Sequence, residues 1–123
     1  MNVDVSATKD YYNTITDSAL CDCGYCRNYR LQIRDALPEV ATYLESWGID
    51  IEKPFETSPL KPDENGMLEY CGCQYIVFGK CAPEYSYKID DVEFRIAVSY
   101  PQTGIEEEHF VLELFPIWLE YSY

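Results

Sequence analysis

Histidine occurs once in this chain of 123 residues, at position 109, and basic residues are scarce: 9 Lys and Arg stand against 22 Asp and Glu. The formal net charge is −13 and the pI is near 4.2. A surface of that sign repels polyanions, which argues against nucleic acid and anionic membranes as partners. No stretch approaches the roughly 18 consecutive apolar residues of a membrane span. Gly-x-Ser-x-Gly, P-loop, dinucleotide, His-Glu-x-x-His and EF-hand patterns are all missing, so no familiar catalytic motif is on offer. There is no internal repeat and no low-complexity tract. The first ten residues have neither a basic nor an apolar segment and do not read as a signal peptide. The expectation is a cytoplasmic protein whose thiols stay reduced.

What is present is apolar and aromatic. The chain is 47% hydrophobic and 15% aromatic, with 12 tyrosines. That excludes a disordered acidic tail and fits one domain over 1–123. Residues 1–48 read as mainly helical. The first 20 are ambiguous, and Tyr11-Tyr12-Asn13-Thr14-Ile15-Thr16 has strand-like composition. Tyr25, Tyr29, Ile33 and Leu37 recur every four residues, which predicts a helix over 24–36, with Arg27, Arg30 and Arg34 on another face. Pro38 breaks it and opens a second helix carrying Val40, Tyr43, Leu44 and Trp47, with Gly48 as its stop.

Residues 49–66 read as an acidic loop punctuated by prolines. From Met67 the period becomes two, predicting an antiparallel sheet over 67–123. Val92, Phe94, Ile96, Val98 and Tyr100 make the cleanest alternation, and Asp90-Asp91 fits a tight hairpin. Pro116 demands a bend, bulge or edge in the last run, after which 117–123 continue as strand. The expected fold is α+β: an N-terminal helical pair on one face of an antiparallel sheet of about four strands.

The chemically pointed segment is Cys21-Asp22-Cys23-Gly24-Tyr25-Cys26. Three thiols within six residues converge on one centre if the backbone turns tightly, and Gly24 permits a turn. Cys23-x-x-Cys26 is the knuckle spacing of structural zinc sites, with a helix entered just after. A helix N-terminus also favours the thiolate that a metal needs. Zinc wants four ligands, so the fourth must come from elsewhere, the candidates being Cys71, Cys73, Cys81 and His109. Cys71 and Cys73, at i and i+2 on a strand, should share a face. A second Cys-x-x-Cys is absent, and with it the paired-knuckle signature.

Three readings compete: a structural zinc, plain reduced thiols packed as small hydrophobes, and a disulfide or redox pair. A thioredoxin-like role would need a strand before Cys23, and Ser18-Ala19-Leu20 is not one. An iron–sulfur cluster usually wants four cysteines, and only three are adjacent. His109 follows Glu106-Glu107-Glu108, and is a general base, a metal ligand or simply a strand start. The arginine stripe either docks an acidic partner or pairs with the chain's own carboxylates. Residues 101–123 carry five acids and no base, whereas residues 27–47 balance three against three. The acidic C-terminal half is therefore the place to expect a basic protein partner.

Cys21-Asp22-Cys23-Gly24-Tyr25-Cys26-Arg27-Asn28-Tyr29, Gly48-Ile49-Asp50-Ile51-Glu52-Lys53-Pro54 and Glu107-Glu108-His109-Phe110 together resemble a set of small bacterial proteins of unknown function. The resemblance implies a bacterial cytosolic origin and no mechanism. The leading expectation is a non-enzymatic acidic interaction or regulatory module stapled by zinc at Cys21, Cys23 and Cys26. The alternative is a thiol-redox or metal-dependent enzyme using the same cysteines, with Cys26 as the thiolate.

Overall fold

The computed structural model describes residues 2–121. A two-residue strand, β1 (Asn2–Val3), leads into α1 (Val5–Thr14), α2 (Gly24–Ala36) and α3 (Pro38–Glu45). Six strands follow: β2 (Glu56–Pro59), β3 (Met67–Lys80), β4 (Ser86–Ile89), β5 (Val92–Ile96), β6 (His109–Phe115) and β7 (Ile117–Glu120). All pairings among the described residues are antiparallel. The α+β class holds, with the helices ahead of the sheet. The sheet has seven strands rather than about four. The shortfall lies in β1 and β2, too short to show a period, and in the last run, which splits at Pro116.

Residues 11–14 belong to α1, not to a strand. Asp4 caps the helix by accepting the Ala7 N–H at 3.0 Å, and Thr8 and Tyr12 are buried on one stripe four residues apart. This local cap and stripe outweigh the β-prone composition of the segment. Gly48 ends the α3 region at φ +86°, where a Cβ would lie 2.5 Å from the Val5 carbonyl oxygen. The loop 49–66 is interrupted by β2, whose residues pair with Tyr70, Cys73 and Gln74. The alternating run from Val92 stays in the sheet only to Ile96; Val98 is 99% exposed and Tyr100 43% exposed. Ala97 instead turns to a small second cluster with Ile76 and Val111 on the outer face. The expected strand over 117–123 runs to Glu120; residues 122 and 123 lie outside the described residues.

β3 is the hub, flanked by β1 and β2 on one edge and by β6 and β7 on the other. Leu68 and Tyr70 face the main core, and so do Cys73, Tyr75 and Val77, so the inward parity changes at Cys71-Gly72. The neighbouring strand changes in step: Phe110, Leu112 and Leu114 face inward before Phe115-Pro116, and Ile117 and Leu119 after it. Tyr70 opposes Ile117 and Cys73 opposes Leu114, so both strands carry two residues across the switch. Against β2 the same stretch is a bulge, in which Ser58 alone faces Cys71 and Gly72. Against the inward face pack Tyr12 of α1, Tyr29 and Ile33 of α2, and Val40 and Leu44 of α3. At the centre Tyr29 and Tyr75 share a hydroxyl–hydroxyl hydrogen bond of 2.6 Å, and Tyr75 donates to the Ile51 carbonyl at 2.7 Å. Buried hydroxyls must be paired in this way to avoid a desolvation cost.

Candidate metal centre

After α1 the chain makes a single 3-10 turn, Asp17–Ala19, and reaches Leu20 extended. Cys21 and Cys23 follow on the exposed surface, and α2 begins at Gly24. Cys23 is the N-cap: its φ of −69° and ψ of 158° are extended, and its Sγ accepts the Cys26 N–H at 3.5 Å. A helix start leaves four N–H groups without partners, and a sulfur here satisfies one of them. Cys26 lies one turn into the helix, half-buried, with Sγ 3.5 Å from Thr57 Oγ1 of β2. Gly24 is not the hinge that the sequence suggests, since it is helical and has no positive φ. Its bare face makes room for the Tyr121 hydroxyl, which lies 2.8 Å from where a Cβ would be.

The first turns of α2 are fixed from several sides. Tyr70 donates to the Tyr25 carbonyl, Asn28 Nδ2 donates to the Glu120 carbonyl at 3.0 Å, and the Tyr25 and Tyr121 rings meet edge-on at 5.1 Å. The result is a triad of sulfurs, Cys21, Cys23 and Cys26, all within 4.8 Å of one another. That bound accommodates the ~3.8 Å edge of a tetrahedron with ~2.3 Å zinc–sulfur bonds. A group of three cysteines arranged in this way could hold a metal ion.

The thiols are not equivalent. Hydrogen bonding from the Cys26 backbone N–H, reinforced by the Cys26 and Cys21 thiols, holds Cys23 below the ordinary thiol pKa. Burial pushes Cys26 up to about 12. The expectation of Cys26 as the ready thiolate is therefore reversed. Its sulfur is turned toward the protein, whereas the sulfur of Cys23 sits in solvent at the positive end of the helix.

The four candidates for a fourth ligand fall outside this group. Cys71 and Cys73 do not share a face, because the inward parity changes between them: Cys71 is exposed and Cys73 fully buried. Cys73 opposes Thr57 in the β2–β3 register, so it sits beside Thr57 on the neighbouring strand. Burial holds its thiol well above the ordinary range. Cys81 follows β3 and packs against the edge of the main core. His109 opens β6, with Nδ1 2.8 Å from the Glu107 carbonyl and Nε2 2.9 Å from Thr103 Oγ1. Both ring nitrogens are thus engaged locally.

Two residues near the triad are easily passed over in the sequence. Thr57 sits in what reads as loop, and only the β2–β3 pairing brings it to Cys26. Arg30 reads as one of a stripe, yet its spacing of four from Cys26 is a local signal that the two lie on one helix face. Arg34 is engaged by Glu45, Asp50 and Glu52, and Arg27 Nε lies 3.7 Å from Asp22. Arg30 differs: among the described residues it makes no ion pair, and its buried Nε has no hydrogen-bond partner. It lines a cavity of about 70 Å³ together with Cys21, Cys26 and Thr57. No family profile, characterised protein or solved structure matches this chain.

Proposed function

We propose that the chain is a small acidic binding module in which Cys21, Cys23 and Cys26 hold one thiophilic divalent ion, zinc in the first instance. The observation that carries this reading is the approach of three sulfurs to within 4.8 Å at the start of α2. Clustered thiolates select zinc over the hard cations. Cys21 and Cys23 are exposed, and three protein ligands would leave one position of a tetrahedral zinc site to be filled from outside the triad. A water molecule or a side chain from a partner takes it. A bound ion ties the segment after α1 to the first turn of α2, and through Thr57 to the sheet. The excess of 22 acids over 9 bases supports a basic protein as the partner.

Metal analysis of protein purified without a histidine tag or chelator tests the reading, paired with a count of free thiols. One zinc per chain with three thiols protected is the expected result, lost in Cys23→Ser and Cys26→Ser but kept in Cys71→Ser and Cys81→Ser. No metal and six titratable thiols, before and after zinc is added, would overturn it. For the partner, salt-sensitive capture of a basic protein is expected, and binding indifferent to salt counts against the acidic surface.

A further inference from the structure

We propose that Cys23 and Cys26 form a thiol–disulfide exchange pair, and that Arg30 directs it toward small disulfides bearing carboxylates. This goes beyond the metal reading and requires no ion. The geometry is that of an attacking and a resolving thiol. Cys23 Sγ is exposed at the cap of α2, where an incoming disulfide can reach it. Cys26 Sγ lies inside the same 4.8 Å group but is half-buried against Thr57 Oγ1, shielded from the first collision. Residues three apart on a helix start have Cβ atoms about 5–6 Å apart, close enough for a rotamer change to form the ~2.05 Å bond. Cys21 is less suited to resolve, because a bond between cysteines only two positions apart closes a short ring that strains the chain. The surrounding sheet is antiparallel and no strand leads into Cys23, so the resemblance to thiol oxidoreductases is local to the Cys-x-x-Cys turn.

The steps balance. The Cys23 thiolate attacks one sulfur of the substrate disulfide; a Cys23–substrate mixed disulfide forms, and the other half leaves as a thiolate that takes a proton from water. Cys26 then gives its proton to solvent and attacks the Cys23 sulfur. The Cys23–Cys26 disulfide forms, and the second half leaves as a thiolate and is protonated. Two protein thiols are oxidised and one substrate disulfide is reduced to two thiols, with two electrons transferred.

The substrate class follows from Arg30. It lines the small cavity with Cys21 and Cys26, and also a larger cleft of about 610 Å³ in front of α2. Of the four acids that line that cleft, Asp22 lies with Arg27, Asp50 with Arg34 and Lys53, and Glu52 with Arg34, while Asp17 in the cleft and Glu56 in the small cavity form no ion pair with Arg30. Arg30 is the cation there without a carboxylate among the described residues, although the chain holds 22 acids. A guanidinium fork left open one turn from Cys26 suits a carboxylate on the incoming disulfide.

The test uses the reduced full-length chain with glutathione disulfide, followed by intact mass and peptide mapping. Wild type is expected to lose two hydrogens, mapped to Cys23–Cys26, without lasting adducts. Cys26→Ser should trap one glutathione on Cys23, Cys23→Ser should do neither, and Cys21→Ser should behave as wild type. Adducts on exposed cysteines with no internal disulfide, or trapping by Cys21→Ser instead, would overturn the pair. Arg30→Gln should slow exchange with glutathione disulfide by roughly tenfold, the loss of one charged hydrogen bond. It should leave exchange with neutral hydroxyethyl disulfide unchanged, and Arg30→Lys should restore part of the rate. Equal rates for both substrates in wild type and Arg30→Gln overturn the anionic class. Repeating the wild-type run with one equivalent of zinc separates the two readings. Failure of exchange without metal sinks the pair alone, whereas exchange indifferent to zinc sinks the metal site alone.

Discussion

The two ends of α2 meet the same acidic chain and resolve it differently. At the C-terminal end Arg34 Nε is 2.6 Å from Glu52, its Nη2 is 3.1 Å from Asp50, and Glu45 joins them. A cation in the last turn also suits the negative end of the helix dipole. The charges there are consumed by the fold. At the N-terminal end Cys21 and Cys23 are exposed, Cys26 is half-buried against Thr57, and one turn on Arg30 has an unpartnered Nε. One end of the helix is tied up in ion pairs, and the other carries the sulfur triad. Between them runs the buried stripe of Tyr29 and Ile33, which anchors both ends to the sheet.

Three substitutions probe this contrast by stability, measured as denaturant unfolding. Ile33→Ala, on the fully buried stripe, should cost the most, roughly 2–5 kcal/mol from lost burial and a residual cavity. It should disturb both ends alike, and a loss confined to either end would break the picture of one anchored helix. Arg34→Met should cost about 1 kcal/mol, since the side chain is 39% exposed and solvent screens its pairs. Half of that loss or more should vanish at high salt, and a salt-independent loss would assign Arg34 to packing instead. Cys23→Ser should change stability by less than ~0.5 kcal/mol, because serine is itself a favoured N-cap. The same variant should abolish metal uptake. Its retention of metal, or a large stability loss in the metal-free protein, would make the N-terminal end structural as well.

The sequence carried the elements with a sustained period and lost those without one. Tyr25, Tyr29 and Ile33 mark α2 almost to the residue, and Pro38 marks the start of α3. The two-residue hairpin at Asp90-Asp91 is equally plain, with Asp90 at φ +52°. α1 was hidden because its stabilising features are a cap at Asp4 and two inward residues, not a composition. β2 has no readable pattern of its own and exists through its pairing with β3. In the site, the Cys-x-Cys-x-x-Cys spacing announced the sulfur triad, since all three lie within one turn of chain. The fourth-ligand candidates required knowing which face each strand residue takes, and the switch at Cys71-Gly72 reverses that for the very pair in question. Thr57 and the open state of Arg30 are tertiary facts, one set by a strand pairing and the other by where the carboxylates end up.

That switch also works as a lock. In a uniform antiparallel pair, a slip of one residue turns each side chain to the wrong face but leaves the ladder intact. Here the central strand and its neighbour both reverse their inward face at the same level, at Cys71-Gly72 and Phe115-Pro116. A slip would set the two reversals out of step, so part of the pair would be matched and part inverted. The two irregular stretches thus act as a notch and its key, and only one alignment of β3 against β6 and β7 lets them close.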